Sequence, residues 1–262
     1  MENRINELFK NKKEGILSVY FSAGYPSLND TEGILEAIQK SGADFVEVGM
    51  PFSDPVADGP TIQHSSEVAL ENGMSTALLF NQLKDIRQKV DMPLLLMGYI
   101  NPVIKYGIEE FCKKCQEVGI DGLILPDMPM QVYLEDYKEI FEKYGLLNIF
   151  LITPQTSDER IKYIDEHSEG FIYMVSSASV TGAKSNVSDQ QLAYFERVND
   201  LGLKNPRIIG FGISNKETFD KACSHASGAI IGSAFVNVLR ENPSRLEEAI
   251  IDFVGSVKGT KN

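Results

Sequence analysis

The chain has 262 residues, 43% hydrophobic and 24% charged, which is enough for a sizeable core in one or two globular units. A formal net charge of −12 argues against a nucleic-acid partner, because a phosphate backbone needs a basic footprint and no lysine cluster here is dense. Three cysteines, a polar and charged N-terminus, and no apolar run near the roughly 20 residues of a membrane span point to the reducing cytoplasm.

Eight short apolar runs follow one another along the chain, at 16–24, 43–51, 93–99, 121–127, 148–153, 170–176, 207–213 and 228–234. Most are continuously hydrophobic, as expected of parallel strands covered on both faces. Amphipathic segments lie between them. In TEGILEAIQKSG, Ile34, Leu35 and Ile38 share a face; in GIEEFCKKCQEVG, Ile108, Phe111, Cys112, Cys115 and Val118 do the same. The segments QVYLEDYKEIFEKYG, SDERIKYIDEH, DQQLAYFERVNDLG, NKETFDKAC and SRLEEAIIDFVGSV continue the series, and Gly42, Gly119, Gly145 and Gly202 are read as closing helices. This alternation predicts an α/β fold, a single (β/α)8 TIM barrel over residues 1–262 with an extra N-terminal helix. An open doubly wound sheet would want a glycine-rich fingerprint after the first strand, and AGYPS is not one.

The second run, ADFVEVGMP, carries a carboxylate inside a strand. Alternation puts Phe45, Glu47 and Gly49 on one face, and Val46 and Val48 on the other. Either face of a barrel strand is dry, so Glu47 has two readings: an ion pair with a neighbouring strand, or a general acid/base with a raised pKa. No strand core holds a lysine and only Arg207 begins a strand, which favours the second. Asp58 follows in a loop stiffened by Pro51, Pro55 and Pro60, suited to presenting a side chain at a fixed position. Asp54, before Pro55, is expected to form an Asx-type turn.

Phosphate cradles need glycines beside a helix start, and VTG (180–182), GFG (210–212) and IIGSAF (230–235) fall near the ends of the last strands, where barrels hold phosphate. Other patterns lead nowhere. Cys112 and Cys115 lie on an apolar helix face without a second pair, and His64, His167 and His225 all read as helical, so no catalytic metal is expected. Lys105 and Lys184 sit in polar loops that would not lower an amine pKa for Schiff-base chemistry. Carboxylate acid/base chemistry is what remains.

The segment FVEVGMPFSDPVADGPTIQ, with SAGYPS, MGYINPV, LPDMP, SVTGA, GFGIS and IIGSAF, closely resembles the tryptophan synthase α subunit family over essentially the whole chain. The resemblance implies retro-aldol cleavage of indole-3-glycerol phosphate to indole and glyceraldehyde 3-phosphate. Glu47 matches the general acid/base, and Asp58 the carboxylate that holds the indole N–H. Tyr173, Thr181 and Phe211 match substrate-site positions, while Gly182, Gly212, Gly232 and Ser233 match phosphate contacts. It further implies an α2β2 heterotetramer in which indole passes to a β subunit that alone carries pyridoxal phosphate, with PFSDPVADG and MGYINPVIKYG facing that partner. Two positions depart from the commoner pattern: Tyr20, which brings a hydroxyl to the indole pocket, and Ser179, where a glycine often stands. Another phosphate-handling barrel, an isomerase or epimerase, would share the glycine cradle without needing Asp58. A mainly regulatory subunit is the alternative outside catalysis.

Overall fold

All eight runs form strands in the computed structural model, which describes residues 3–175, 188–210 and 212–260. They are β1 (Ile16–Ser22), β2 (Phe45–Gly49), β3 (Leu94–Met97), β4 (Gly122–Ile124), β5 (Leu147–Ile152), β6 (Ile172–Val175), β7 (Arg207–Gly210) and β8 (Gly228–Ile231). Most stop short of the apolar run that marked them, because the last residues of the run turn into the loops of the barrel mouth. Each strand pairs in parallel with its sequence neighbours. β1 also pairs with β8 through Ile16↔Gly228, which closes the sheet into a barrel.

The helices are α1 (Arg4–Asn11), α2 (Thr31–Ser41), α3 (Pro60–Glu71), α4 (Thr76–Gln82), α5 (Ile100–Tyr106), α6 (Ile108–Val118), α7 (Met130–Val132), α8 (Lys138–Lys143), α9 (Asp158–His167), α10 (Asp189–Asp200), α11 (Lys216–Cys223), α12 (Ser233–Glu241) and α13 (Leu246–Lys258). Gly42 and Gly119 close α2 and α6 in the left-handed conformation, while Gly145 and Gly202 adopt positive φ just beyond the cap residues of α8 and α10. Two helices escaped the sequence pattern. α4 and α5 have seven residues each, too short to repeat an apolar face, and Pro102 in α5 reads as a turn. The segment read as one helix from Gln131 contains a π-helical turn at Tyr133–Tyr137 between α7 and α8, which hydrophobic spacing does not announce.

Two apolar layers hold the barrel. The outer one packs Val46, Val48, Leu94 and Leu96 against the helices; the inner one fills the barrel with Ile16, Phe45, Leu95, Ile124, Ile149 and Ile208. α1 closes the N-terminal end of the barrel. Its buried Ile5 and Phe9 join the inner layer, with Phe9 5.5 Å from Phe171 and Phe171 5.4 Å from Phe45 between ring centroids.

Below β4, Asp121 ties that closed end together. It is 3% exposed, pairs with Arg4 at 2.9 Å and Arg87 at 2.6 Å, and accepts the Leu94 N–H at 2.8 Å. Removing it strands the largely buried Arg87 guanidinium and a strand N–H, so Asp121→Ala is expected to destabilise the fold by about 3 kcal/mol, read from urea melts. The opposite end of the barrel is left open for chemistry.

Candidate active site

The inner layer carries a buried hydroxyl, Ser18, level with Phe45, and becomes ionisable above it. Glu47 shares the inward face of β2 with Phe45, two residues before the strand ends at Gly49. It is fully buried, and among the described residues neither carboxylate oxygen has a hydrogen-bond partner. Burial pushes its pKa well above the ordinary carboxylate range, and no cation among the described residues offsets it. The ion-pair reading of Glu47 therefore fails. Arg207 does begin β7, but its electrostatic partner is Asp165.

Tyrosines flank this acid. Tyr20 on β1 is the register partner of Glu47, and its hydroxyl lies over Gly49, where a Cβ would stand 2.1 Å from it. Tyr173 on β6 lies in the same way over Gly210 of β7, where a Cβ would stand 2.3 Å from its hydroxyl. Both rings lean into the mouth because the next strand offers a residue without a side chain. Both phenols are pushed upward, first by burial and then by the charges of Glu47 and Asp58, so they stay protonated.

Asp58 stands in the loop between β2 and α3. It is not the helix cap, which is Gly59; instead it accepts the Tyr99 hydroxyl at 3.1 Å. Burial raises its pKa to about 6, and the Tyr99 hydrogen bond works against that rise. Tyr99 also accepts the Ala57 N–H at 3.0 Å and packs on Phe52, with centroids 5.1 Å apart. An amide N–H can only donate, so the phenol proton is committed to Asp58. Tyr99 is the residue that sequence reasoning passed over. Its signal was position: it lies two residues past the end of β3, where barrels carry their working side chains. Tyr20, Met50, Phe52, Asp58, Met97 and Tyr99 line one cavity at this end.

On the far side of the mouth, Gly232 follows β8 as the N-cap of α12 and Ser233 opens that helix, whose first turn holds no acid. Free N–H groups at such an end suit an anion. Gly212 follows β7 with φ 79°. Thr181, Gly182, Ser179, Lys184 and Phe211 lie outside the described residues.

Some smaller expectations are corrected. The Asp54 carboxylate accepts the Ser53 hydroxyl at 2.6 Å rather than building an Asx turn; the Val56 N–H goes to the backbone oxygen of Asp54. Lys105 belongs to the last turn of α5, not to a loop, and is exposed. His225 sits in the turn after α11, whereas His64 and His167 are helical. Cys112 and Cys115 are buried on the apolar face of α6, and burial raises both thiols. Among the described residues, no group of three or more His, Cys, Asp or Glu could hold a metal ion, and no helix is long and apolar enough to cross a membrane.

Residues 7–262 match the family model of the tryptophan synthase alpha chain. The chain belongs to that family. It is 60% identical to the tryptophan synthase alpha chain of Flavobacterium johnsoniae, over 98% of this chain and 100% of that one. Among solved structures it is similar to tryptophan synthase subunit alpha from Legionella pneumophila, with a TM-score of 0.88 and 31% identity over 99% and 98% of the two chains. It is also similar to a chain of the aminoacrylate-bound tryptophan synthase of Mycobacterium tuberculosis, with a TM-score of 0.85 and 27% identity over the full length of both. The function is that of a tryptophan synthase alpha chain, an indole-3-glycerol-phosphate lyase in tryptophan biosynthesis. The family uses no cofactor of its own, pyridoxal phosphate belonging to the beta subunit.

Proposed function

We propose that Glu47 carries the lyase reaction by giving one proton and taking another within a single substrate complex. Protonated Glu47 delivers its proton to indole C3, and the ring nitrogen takes up the positive charge that results. The bond from C3 to the glycerol carbon then breaks. Its electron pair stays on the ring, and the hydroxyl on that carbon becomes the aldehyde of glyceraldehyde 3-phosphate as its proton passes to the Glu47 carboxylate. Asp58 accepts the ring N–H and opposes the charge that develops there, held in place by Tyr99. Tyr20 and Tyr173 bound the ring, and Phe211 and Thr181, which lie outside the described residues, are assigned to the substrate on the family resemblance alone. Gly182, Gly212, Gly232 and Ser233 hold the phosphate, the last two at the acid-free start of α12. The observation that carries this reading is a fully buried carboxyl on the inward face of β2 with no hydrogen-bond partner among the described residues. A structural glutamate would have been paired.

The chain associates with a beta subunit, as the complex structures of its relatives suggest. We further propose an α2β2 heterotetramer with indole passed directly between the sites, and one (β/α)8 domain over residues 1–262. Val56 is 83% exposed on the Asp58 loop and Ile104 51% exposed on α5, so two large apolar side chains face outward beside the mouth. The experiment is a titration of indole release against added beta subunit. The expected result is stimulation by wild type at low partner concentration, with Val56→Asp needing about tenfold more partner for the same effect. No stimulation of either half-reaction would sink the partnership, and no indole from indole-3-glycerol phosphate would sink the reaction.

A further inference from the structure

We propose that Tyr20 makes this pocket selective for indoles that carry a second hydrogen-bond donor, a hydroxyl or amino group on the benzo ring, beside the ring N–H. The proposal rests on the assignment of Asp58 to the indole N–H. It begins with a chain of three hydroxyls. Ser65 on α3, fully buried, donates to the Ile62 carbonyl at 2.9 Å. Ser22 at the end of β1, 1% exposed, lies 2.7 Å from the Ser65 oxygen, and the Tyr20 hydroxyl lies 3.4 Å from Ser22.

The polarity of this chain is fixed at its far end. A carbonyl oxygen only accepts, so the single proton of Ser65 is spent on Ile62. Ser65 must then accept from Ser22, and Ser22 must accept from Tyr20. The Tyr20 proton points toward α3, and what the phenol offers the cavity is acceptor capacity. The other polar groups of that cavity wall are already committed. Tyr99 gives its proton to Asp58 and accepts from Ala57, Ser66 donates to the Phe52 carbonyl and accepts the Phe52 N–H, and Met50, Phe52 and Met97 have apolar side chains.

The position of Tyr20 says which part of a substrate meets this acceptor. It lines the same cavity as Asp58, and Glu47 is not among the described residues that line it. Its oxygen therefore faces the heterocycle beside the N–H holder rather than the glycerol chain. An unsubstituted benzo ring leaves that acceptor without a partner in a desolvated pocket, and a ring hydroxyl or amine supplies one. A ring acceptor would meet lone pairs with lone pairs.

The lyase reaction run in reverse provides the test, with the full chain condensing glyceraldehyde 3-phosphate with indole. Further arms use hydroxyindoles and aminoindoles substituted at each open benzo position, and azaindoles with a ring nitrogen at the same positions. Wild type, Tyr20→Phe and Ser22→Ala are compared by kcat/KM relative to indole, so that a general loss of activity cancels. For at least one donor-bearing isomer the relative value is expected to be about fivefold higher in wild type than in Tyr20→Phe. Ser22→Ala frees the phenol proton, so the azaindole of matching position is expected to gain relative to wild type, an inversion that loss of packing does not produce. Relative values that agree within about twofold between wild type and Tyr20→Phe for every isomer would overturn the proposal. So would a donor preference kept in Tyr20→Phe. A wild-type chain that fails to condense indole itself gives a different result, one that strikes the site assignment underneath.

Discussion

Glu47→Gln is expected to cut indole-3-glycerol phosphate cleavage by about a thousandfold, the scale of a lost general acid/base, while the barrel folds normally. The amide fits the same space on the inner face of β2 but can neither release nor accept the proton. The sharper expectation concerns stability. The folded chain holds the Glu47 proton well above 4.5, the ordinary value, and the unfolded chain does not. A group whose folded pKa is raised in this way is fully compatible with folding below 4.5 and penalises it increasingly as pH climbs toward the folded value. Glutamine has no such penalty. The melting temperature of Glu47→Gln minus that of wild type should therefore grow as pH rises above about 4.5. Thermal melts across pH and indole release at a single pH test both halves. Near-normal turnover in the variant would remove Glu47 from the mechanism. A pH-independent difference in melting temperature would mean that the carboxyl finds a compensating partner in solution.

The same residue shows what a sequence can reveal. A carboxylate among valines is visible at once, since the period of a strand puts Glu47 with Phe45 and away from Val46 and Val48 before any coordinates exist. The barrel was legible for the same reason: eight apolar runs with helical spacing between them leave few architectures open. What was not legible depends on contacts across the chain. Nothing near Tyr99 in sequence connects it to Asp58, 41 positions away, and its role appears only when the ends of β3 and the Asp58 loop meet. The seating of Tyr20 on Gly49 and of Tyr173 on Gly210 is likewise a property of neighbouring strands, set by register. The π-helical turn at Tyr133–Tyr137 leaves no mark on hydrophobic spacing, because one extra residue per turn shifts the face without changing its composition.

Asp58→Asn is expected to lower kcat by about a hundredfold and to raise KM far less. An asparagine oxygen still accepts the indole N–H and the Tyr99 hydroxyl, so much of the ground-state contact survives. What disappears is the negative charge that opposes the cation formed when C3 is protonated, an interaction made mainly in the transition state. The wild-type acid limb follows from the same group. Asp58 must be ionised to act, its pKa is raised to about 6 by burial, and activity should climb as pH rises through that value. Tyr99→Phe removes the hydrogen bond that holds the pKa down and leaves the Ala57 N–H without its acceptor, so the acid limb should move upward. The variant then loses more activity near pH 6 than near pH 8, whereas Asp58→Asn should show no limb there at all. Combining the two substitutions should cost little more than Asp58→Asn alone, because the main task of Tyr99 is carried out through that carboxylate. A full multiplicative loss in the double variant would give Tyr99 an independent hold on the substrate, and an acid limb unmoved by Tyr99→Phe would assign the limb to a different group.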